Sequence, residues 1–182
     1  VEADITPQQI YQRPLEQGQV FTFDFGRHMV GYLTINTKTL RRCQDAPVRL
    51  KLFMGELPAE LNTPLEPWKA WLSRAWMQEE TINILQTDKA ITIPRRMAGR
   101  YLKVEVIGTS MDFDCALSQV SFDAVSSAGE DLCTTTTAHP LMDSIRTVSV
   151  ETLRECMQTV YEDGPKRDQR LWAGDLYLQA MA

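Results

Sequence analysis

The feature that most constrains the fold is a change in hydrophobic period along the chain. Before residue 124, apolar and polar side chains alternate in three clear runs, at residues 21–25, 48–54 and 101–106. After residue 139, apolar side chains recur about every 3.6 residues as far as Val160. Alternation places one apolar face on a strand, whereas a period of 3.6 places one apolar stripe on a helix. The sequence therefore predicts a β domain followed by a helical one.

The β domain is expected to occupy residues 1–124. Weaker strand candidates lie between the three clear runs, at residues 29–35, 81–85, 90–93 and 117–124, with turn-forming Gly or Pro residues separating them. Several short strands at this spacing are typical of an antiparallel sandwich or jelly roll.

Residues 67–78 interrupt the strand pattern. They carry Trp68, Trp71 and Trp76 at helical spacing, which predicts a short amphipathic insertion that covers an edge or a face of the sheet. Stacking of these indoles on sugar rings is the alternative, since aromatic faces serve packing and binding alike.

A polar stretch rich in Ser and Thr, residues 125–138, is predicted to be a linker. The following helix is expected over residues 140–162, because Pro140 suits a first helical turn. Gly164 is able to take a positive φ and Pro165 cannot continue the helix, so the chain is expected to turn there. A second helix is predicted to start near Gly174 or Asp175, where a carboxylate complements a helix N-terminus. Residues 139–182 thus predict the start of an incomplete helical domain.

The charge and the composition of the chain limit the classes of partner that it is expected to bind. The net charge of -5 argues against nucleic acid and anionic membranes, because both recruit basic surfaces. No apolar run reaches the roughly 18 residues of a membrane span, and the first residues lack the layout of a signal peptide. The four cysteines lack metal-site spacing, so they are either free thiols or disulfides. We expect no metal or other cofactor, and a neutral ligand.

The acidic segment, residues 161–175, has an unusual concentration of functional groups. Four carboxylates, three cations and one tryptophan lie within its fifteen residues, beside the Gly-Pro pair at 164–165. Paired carboxylates near an aromatic ring suit glycosidic-bond chemistry, in which one carboxyl protonates the leaving oxygen while another activates water or attacks the sugar. The alternative is a salt-bridged turn between two helices.

The acidic segment and the order of domains resemble the α-L-rhamnosidase-like proteins of glycoside hydrolase family 78. In that family, β-sandwich modules precede an (α/α)6 barrel, and the loop after the first barrel helix carries Asp-Cys-Pro-x-Arg-Glu followed by Trp and Gly-Asp. This chain has Asp163-Gly164-Pro165-Lys166-Arg167-Asp168, then Trp172 and Gly174-Asp175. Residues 23–32 and 94–104 also resemble strands of the preceding sandwich.

The resemblance implies a fragment of an inverting glycosidase that acts on terminal α-L-rhamnosyl or similar residues. It implies Asp168 as the general acid, although many members have Glu there, and Asp163 and Asp175 as groups that bind sugar hydroxyls or tune the acid. Arg167 would orient these groups and Trp172 would support the sugar, unless Trp172 is a packed core residue. The family's catalytic base lies beyond Ala182, so the fragment alone is expected to be inactive. The alternative function is a non-catalytic carbohydrate-binding or scaffolding sandwich.

Overall fold

The structure is a computed structural model that describes residues 6–129 and 139–181. The chain divides into two compact units, Val1–Asp123 and Ala124–Ala182. In chain order the elements are α1 Pro7–Ile10, β1 Val20–Arg41, β2 Val48–Gly55, α2 Pro58–Asn62, β3 Gln78–Ile84, β4 Ala90–Thr92, β5 Met97–Gly108, β6 Asp114–Ala124, α3 Pro140–Cys156 and α4 Ala173–Gln179. Within the described ranges, no helix has the length and apolar content needed to cross a membrane.

The first unit is built on six hydrogen-bonded strands in the order β3-β2-β5-β1-β4, with β6 also paired to β1. Each pairing along the path from β3 to β4 is antiparallel. The 22-residue β1 joins two of the predicted strands and pairs with β5 along its first half and β4 further on. Side chains from β2, β3, β5, β1 and β6 enter a single apolar core, so the strands curl around it. The predicted mainly β sandwich followed by helices is confirmed as the fold class.

The core follows the alternation that predicted the strands. Leu50, Leu52, Leu102 and Val104 are completely buried, while the residues between them on β2 and β5 are charged. Burying an aliphatic side chain of this size is worth roughly 1.5–3 kcal/mol. The inward face of these two central strands is therefore a main source of the unit's stability.

A bulge near the start of β1 depends on one glycine and one carboxylate. Gly26 has φ 83°, which only glycine adopts readily, and its N–H donates to Asp24 Oδ1 at 2.7 Å. The register to β5 shifts between Asp24 and Met29. Arg100 of β5 donates to both oxygens of Asp24, at 2.7 Å each, so the carboxylate links the bulge to the neighbouring strand.

The helix predicted over residues 67–78 is wrong. Only Arg74–Trp76 forms a short 3₁₀ helix, and Trp71 is 87% exposed. Polar contacts within the segment and with its neighbours in sequence accompany an irregular path instead. Arg74 pairs with Glu66 and, at 2.9 Å, with Glu79 of β3, and the indole N–H of Trp68 donates to the carbonyl of Leu72 at 2.7 Å.

In the second unit, α3 ends at Cys156, six residues before the predicted end at Glu162. The chain turns back there, and the N–H of Glu162 donates to the carbonyl of Cys156 at 2.8 Å. Ser126 donates through Oγ to the carbonyl of Arg154 at 2.6 Å. Residues at the start of the predicted linker thus cap carbonyl groups at the end of α3. The remainder of that linker, residues 130–138, lies outside the described residues.

Three cysteines, Cys43, Cys115 and Cys156, are free thiols, which decides between the two predicted states for them. Cys133 lies outside the described residues. Burial raises the pKa of the Cys115 thiol to about 11, and Asp114 adds to the rise. This buried thiol therefore behaves as a small apolar group of the core rather than as a nucleophile.

Candidate active site

The acidic segment forms an irregular loop followed by the first turn of α4. Its ends are drawn together by a reciprocal contact: the N–H of Asp163 donates to the carbonyl of Arg170 at 2.9 Å, and the N–H of Arg170 donates to Asp163 Oδ1 at 3.2 Å. Asp163 therefore closes the loop over residues 163–170. This closure bends the chain between Asp163 and Arg170.

Asp168 lies at the tightest part of this loop. It has φ 63° and Gln169 has φ 52°, and each residue with a side chain in this left-handed region costs on the order of 1 kcal/mol. The side-chain amide of Gln169 donates to the carbonyl of Pro165 at 2.7 Å, which offsets part of that cost. The chain turns from Pro165 onward as expected, but the residues with positive φ are Asp168 and Gln169 rather than Gly164.

The carboxylate of Asp168 is partly buried and ion-paired. Arg167 donates from its guanidinium to Asp168 Oδ2 at 3.2 Å, and the two side chains are 42% and 28% exposed, respectively. A cation next to a carboxyl orients it and is available to bind a hydroxyl or a second carboxylate. Arg167 and Asp168, which are adjacent in the sequence, thus also form an ion pair through their side chains.

Trp172 and Asp175 lie on the other side of the bend. Trp172 is the N-cap residue of α4, and its side chain is 50% exposed. Asp175 is exposed in the first turn of α4, where negative charge is favoured by the helix dipole. The second helix begins within one residue of the prediction. Throughout the described part of this unit, no hydrogen bond or ion pair joins Asp163, Asp168 and Asp175 to one another.

Two buried residues of this region, Glu162 and Cys156, are not among the site residues predicted from the sequence. Glu162 is only 4% exposed, and its carbonyl accepts from the side chain of Gln179 at 2.8 Å, which ties the loop to α4. Cys156 is also buried. Glu162 is one of the four carboxylates of the acidic segment, but the burial of a glutamate after the end of a helix has no sequence signature.

The Cys156 thiol senses several of the carboxylates of this unit. Burial raises its pKa first, and the negative charges of Glu155, Glu162, Asp163 and Asp175 raise it further. These carboxylates come from the end of α3, the loop and the start of α4, and all of them lie within electrostatic reach of one buried sulfur. Asp168 is not among the groups that raise this pKa. Within residues 6–129 and 139–181, no group of three or more His, Cys, Asp or Glu side chains could hold a metal ion.

Comparisons with known proteins give matches of two kinds. The family model described as the glycosyl hydrolase family 78 alpha-rhamnosidase N-terminal domain matches residues 1–124. Among solved structures, a rhamnosidase from Klebsiella oxytoca with rhamnose bound matches with a TM-score of 0.93 at 42% sequence identity over 99% of this chain. No curated protein matches the chain.

A second solved structure, a GH78 family rhamnosidase of Bacillus sp. GL1, matches with a TM-score of 0.72 at 16% identity over 98% of this chain. At that identity the likeness concerns the fold alone. The chain spans 35% of the length of the Klebsiella protein and 18% of the Bacillus protein, so it corresponds to a minor part of each.

Proposed function

The chain belongs to glycoside hydrolase family 78, and we propose on that premise that it is part of an inverting glycosidase that removes terminal α-L-rhamnosyl residues from glycans or glycosides. The observation that carries the proposal is the match to a rhamnosidase with rhamnose bound, at 42% identity over both units. The four carboxylates of the acidic segment support it, because glycoside hydrolysis needs acidic groups around one sugar.

Asp168 is the proposed general acid. Its place on a short loop that is closed by Asp163 and held by Gln169 limits the freedom of its carboxyl, which favours a defined approach to the glycosidic oxygen. Arg167, in contact with Asp168, is proposed to orient the carboxyl before the sugar binds. The Asp168 side chain is one methylene shorter than that of Glu. The left-handed backbone at residues 168–169 is proposed to move its carboxyl closer to the glycosidic oxygen.

The remaining residues have proposed roles in holding the sugar. Asp163 and Asp175 are proposed to accept hydrogen bonds from sugar hydroxyls or to tune the acid. Trp172, half exposed at the start of α4, offers an apolar face to the sugar ring. An inverting mechanism also needs a general base on the opposite face of the sugar. We propose that a residue beyond this chain supplies that base, so the 182 residues alone should not turn over substrate.

The stereochemical outcome tests this function. The full-length protein should release rhamnose from an aryl α-L-rhamnoside, and proton NMR should detect β-L-rhamnose as the first product, because a single displacement inverts the anomeric carbon. The 182-residue chain, assayed in parallel, should release none. Appearance of the α anomer first, or release of no rhamnose by the full-length protein, would contradict the proposal.

A further inference from the structure

A groove on the outer face of the first unit is separate from the acidic segment. It has a volume of ≈ 190 Å³ and lies where the α2 region passes over strands β3, β2 and β5. Its lining consists of Lys51, Phe53, Leu61, Asn62, Thr63, Pro64, Leu65, Glu79, Lys103 and Glu105. We name it the sheet groove. Its volume suits a ligand of monosaccharide size rather than a drug-sized molecule, which needs at least roughly 300 Å³.

Positive and negative side chains alternate around one aromatic residue on the floor of the sheet groove. In the strand register, Phe53 lies opposite Glu79 on one side and Lys103 on the other. Lys51 lies opposite Glu105, which is two residues from Lys103 on the same face of β5. Each cation thus has an acidic neighbour, and the four charges sum to zero, which favours a neutral ligand over an anion or a cation.

Most of these groups are held in place before any ligand binds. Lys51 pairs with Glu79 at 2.9 Å, and Lys103 donates to the carbonyl of Leu61 at 3.2 Å. The wall is equally fixed, because Leu61 is 3% exposed and packs against Gly55, at which an added Cβ would lie 2.8 Å from Leu61 Cδ2. Such preorganised polar groups lower the entropy lost on binding.

Two polar groups remain available. Among the described residues, neither the carboxylate of Glu105 nor the side-chain amide of Asn62 has a hydrogen-bond or ion-pair partner. The carboxylate only accepts, whereas the amide both donates and accepts. A sugar presents adjacent hydroxyls that each donate and accept, together with apolar C–H faces. That pattern matches an open acceptor, an amide and ammonium donors beside the apolar side chains of Pro64 and Leu65. Phe53 and Leu61, which are buried, form the base beneath them.

From these observations we propose that the sheet groove is an accessory binding site for a single neutral sugar residue. It goes beyond the proposed hydrolysis, because it involves only the first unit and needs no catalytic group. Occupancy there would hold a glycan chain on the protein independently of the site that cleaves it. Because a monosaccharide makes few atomic contacts with the protein, we expect a Kd on the order of millimolar.

The test is an NMR titration of the 15N-labelled 182-residue chain with L-rhamnose, and separately with D-glucose as a second neutral sugar. At least one of them should give saturable amide shifts at residues 51–53, 61–65 and 103–105. The variant Glu105→Gln should weaken binding about fivefold, since a hydrogen bond to a carboxylate becomes a weaker one to a neutral amide. The variant Asn62→Ala, at an exposed position, should also weaken sugar binding. It provides the test if Glu105→Gln, on strand β5, does not fold.

Matched controls separate sugar binding in the groove from a general effect of charge. Asp45→Asn, which neutralises an exposed carboxylate outside the groove, should leave the affinity unchanged. Acetate and methylammonium should not reproduce the shifts. If neither sugar gives saturable shifts in the groove, if the ions reproduce them, or if neither groove variant weakens binding, the proposal is overturned. Shifts confined to residues 161–175 would overturn it too, while leaving the proposed hydrolysis intact.

Discussion

Asp163 closes a loop as well as contributing a carboxylate to it. Its backbone N–H and its Oδ1 both contact Arg170, so removal of this side chain changes the loop around Asp168 along with the local charge. An activity loss on mutation of Asp163 therefore has two possible causes. Replacement by Asn retains an oxygen acceptor at the same position, and replacement by Ala removes it.

The two replacements should differ in the protection of a single amide. In Asp163→Ala, the Arg170 N–H loses its acceptor, which is worth on the order of 1 kcal/mol, or about fivefold in exchange rate. In Asp163→Asn, protection should stay near that of the parent chain. Hydrogen exchange measured by NMR at Arg170 checks this. Equal protection in all three proteins would show that the side-chain contact does not hold the loop.

A second residue-scale prediction concerns Asp24, whose pKa is lowered mainly by its hydrogen bonds from Arg100 and further by the Gly26 N–H. Because the folded pKa lies below the unfolded value of 3.8, this contribution to stability is present above that value and is lost as the pH falls through the folded pKa. Asp24→Asn should therefore destabilise the chain near neutral pH, and the difference from the parent should shrink below about pH 4. The side chain is 44% exposed, so the effect should be small and reduced by salt.

Urea unfolding at two pH values measures this difference. Asn keeps an oxygen for the Gly26 N–H, so the variant isolates the ion pair from the bulge. A difference that persists unchanged at low pH would mean that the variant acts through the bulge instead.

At the scale of elements, the sequence predicts best where the pattern is set by burial. Val48, Leu50, Leu52 and Met54 alternate with neighbours of which two are charged, and the structure buries all four. The third neighbour, Phe53, is also buried, because the α2 region covers the outer face of β2 at this point. A non-local contact of this kind has no signal in the local pattern.

Prediction fails where specific polar contacts, rather than hydrophobic burial, decide the path of the chain. The indoles at residues 68–76 have helical spacing, yet Arg74 and its acidic partners hold an irregular chain. In the acidic segment, the sequence identifies the acidic residues and predicts that the chain turns after the helix. It does not reveal that Asp168 and Gln169, rather than Gly164, take the left-handed backbone, because the Asp163 to Arg170 closure fixes the turn.

The central strand β2 should be the most sensitive element of the first unit. Leu52 is completely buried, so Leu52→Ala should lower the free energy of unfolding by roughly 2–5 kcal/mol. Leu85, at 72% exposure, is the matched control, and Leu85→Ala should change stability by less than about 0.5 kcal/mol. Urea denaturation monitored by circular dichroism compares them. Similar losses in both variants would contradict the assignment of the core.

On the scale of the whole molecule, the first unit has its own core and its own set of strand pairings. A polypeptide of residues 1–124 should therefore fold alone, with a β-type circular dichroism spectrum and one cooperative thermal transition. By contrast, the second unit exposes apolar residues of α3 and α4, including Val148 at 66% and Tyr177 at 68%. A disordered spectrum for residues 1–124 would show that the first unit requires the second.

A general acid in the acidic segment of this family 78 chain should make the rate depend on the leaving group. The measurement is kcat/KM of the full-length protein for a series of aryl α-L-rhamnosides. Asp168→Asn cannot protonate the departing oxygen, so poor leaving groups should lose on the order of 10² to 10⁴ in rate, and nitrophenol should lose least. Asp163→Asn and Asp175→Asn should reduce rates evenly across the series. Near-normal turnover of a poor leaving group by Asp168→Asn would contradict the account and make Asp163 the next candidate.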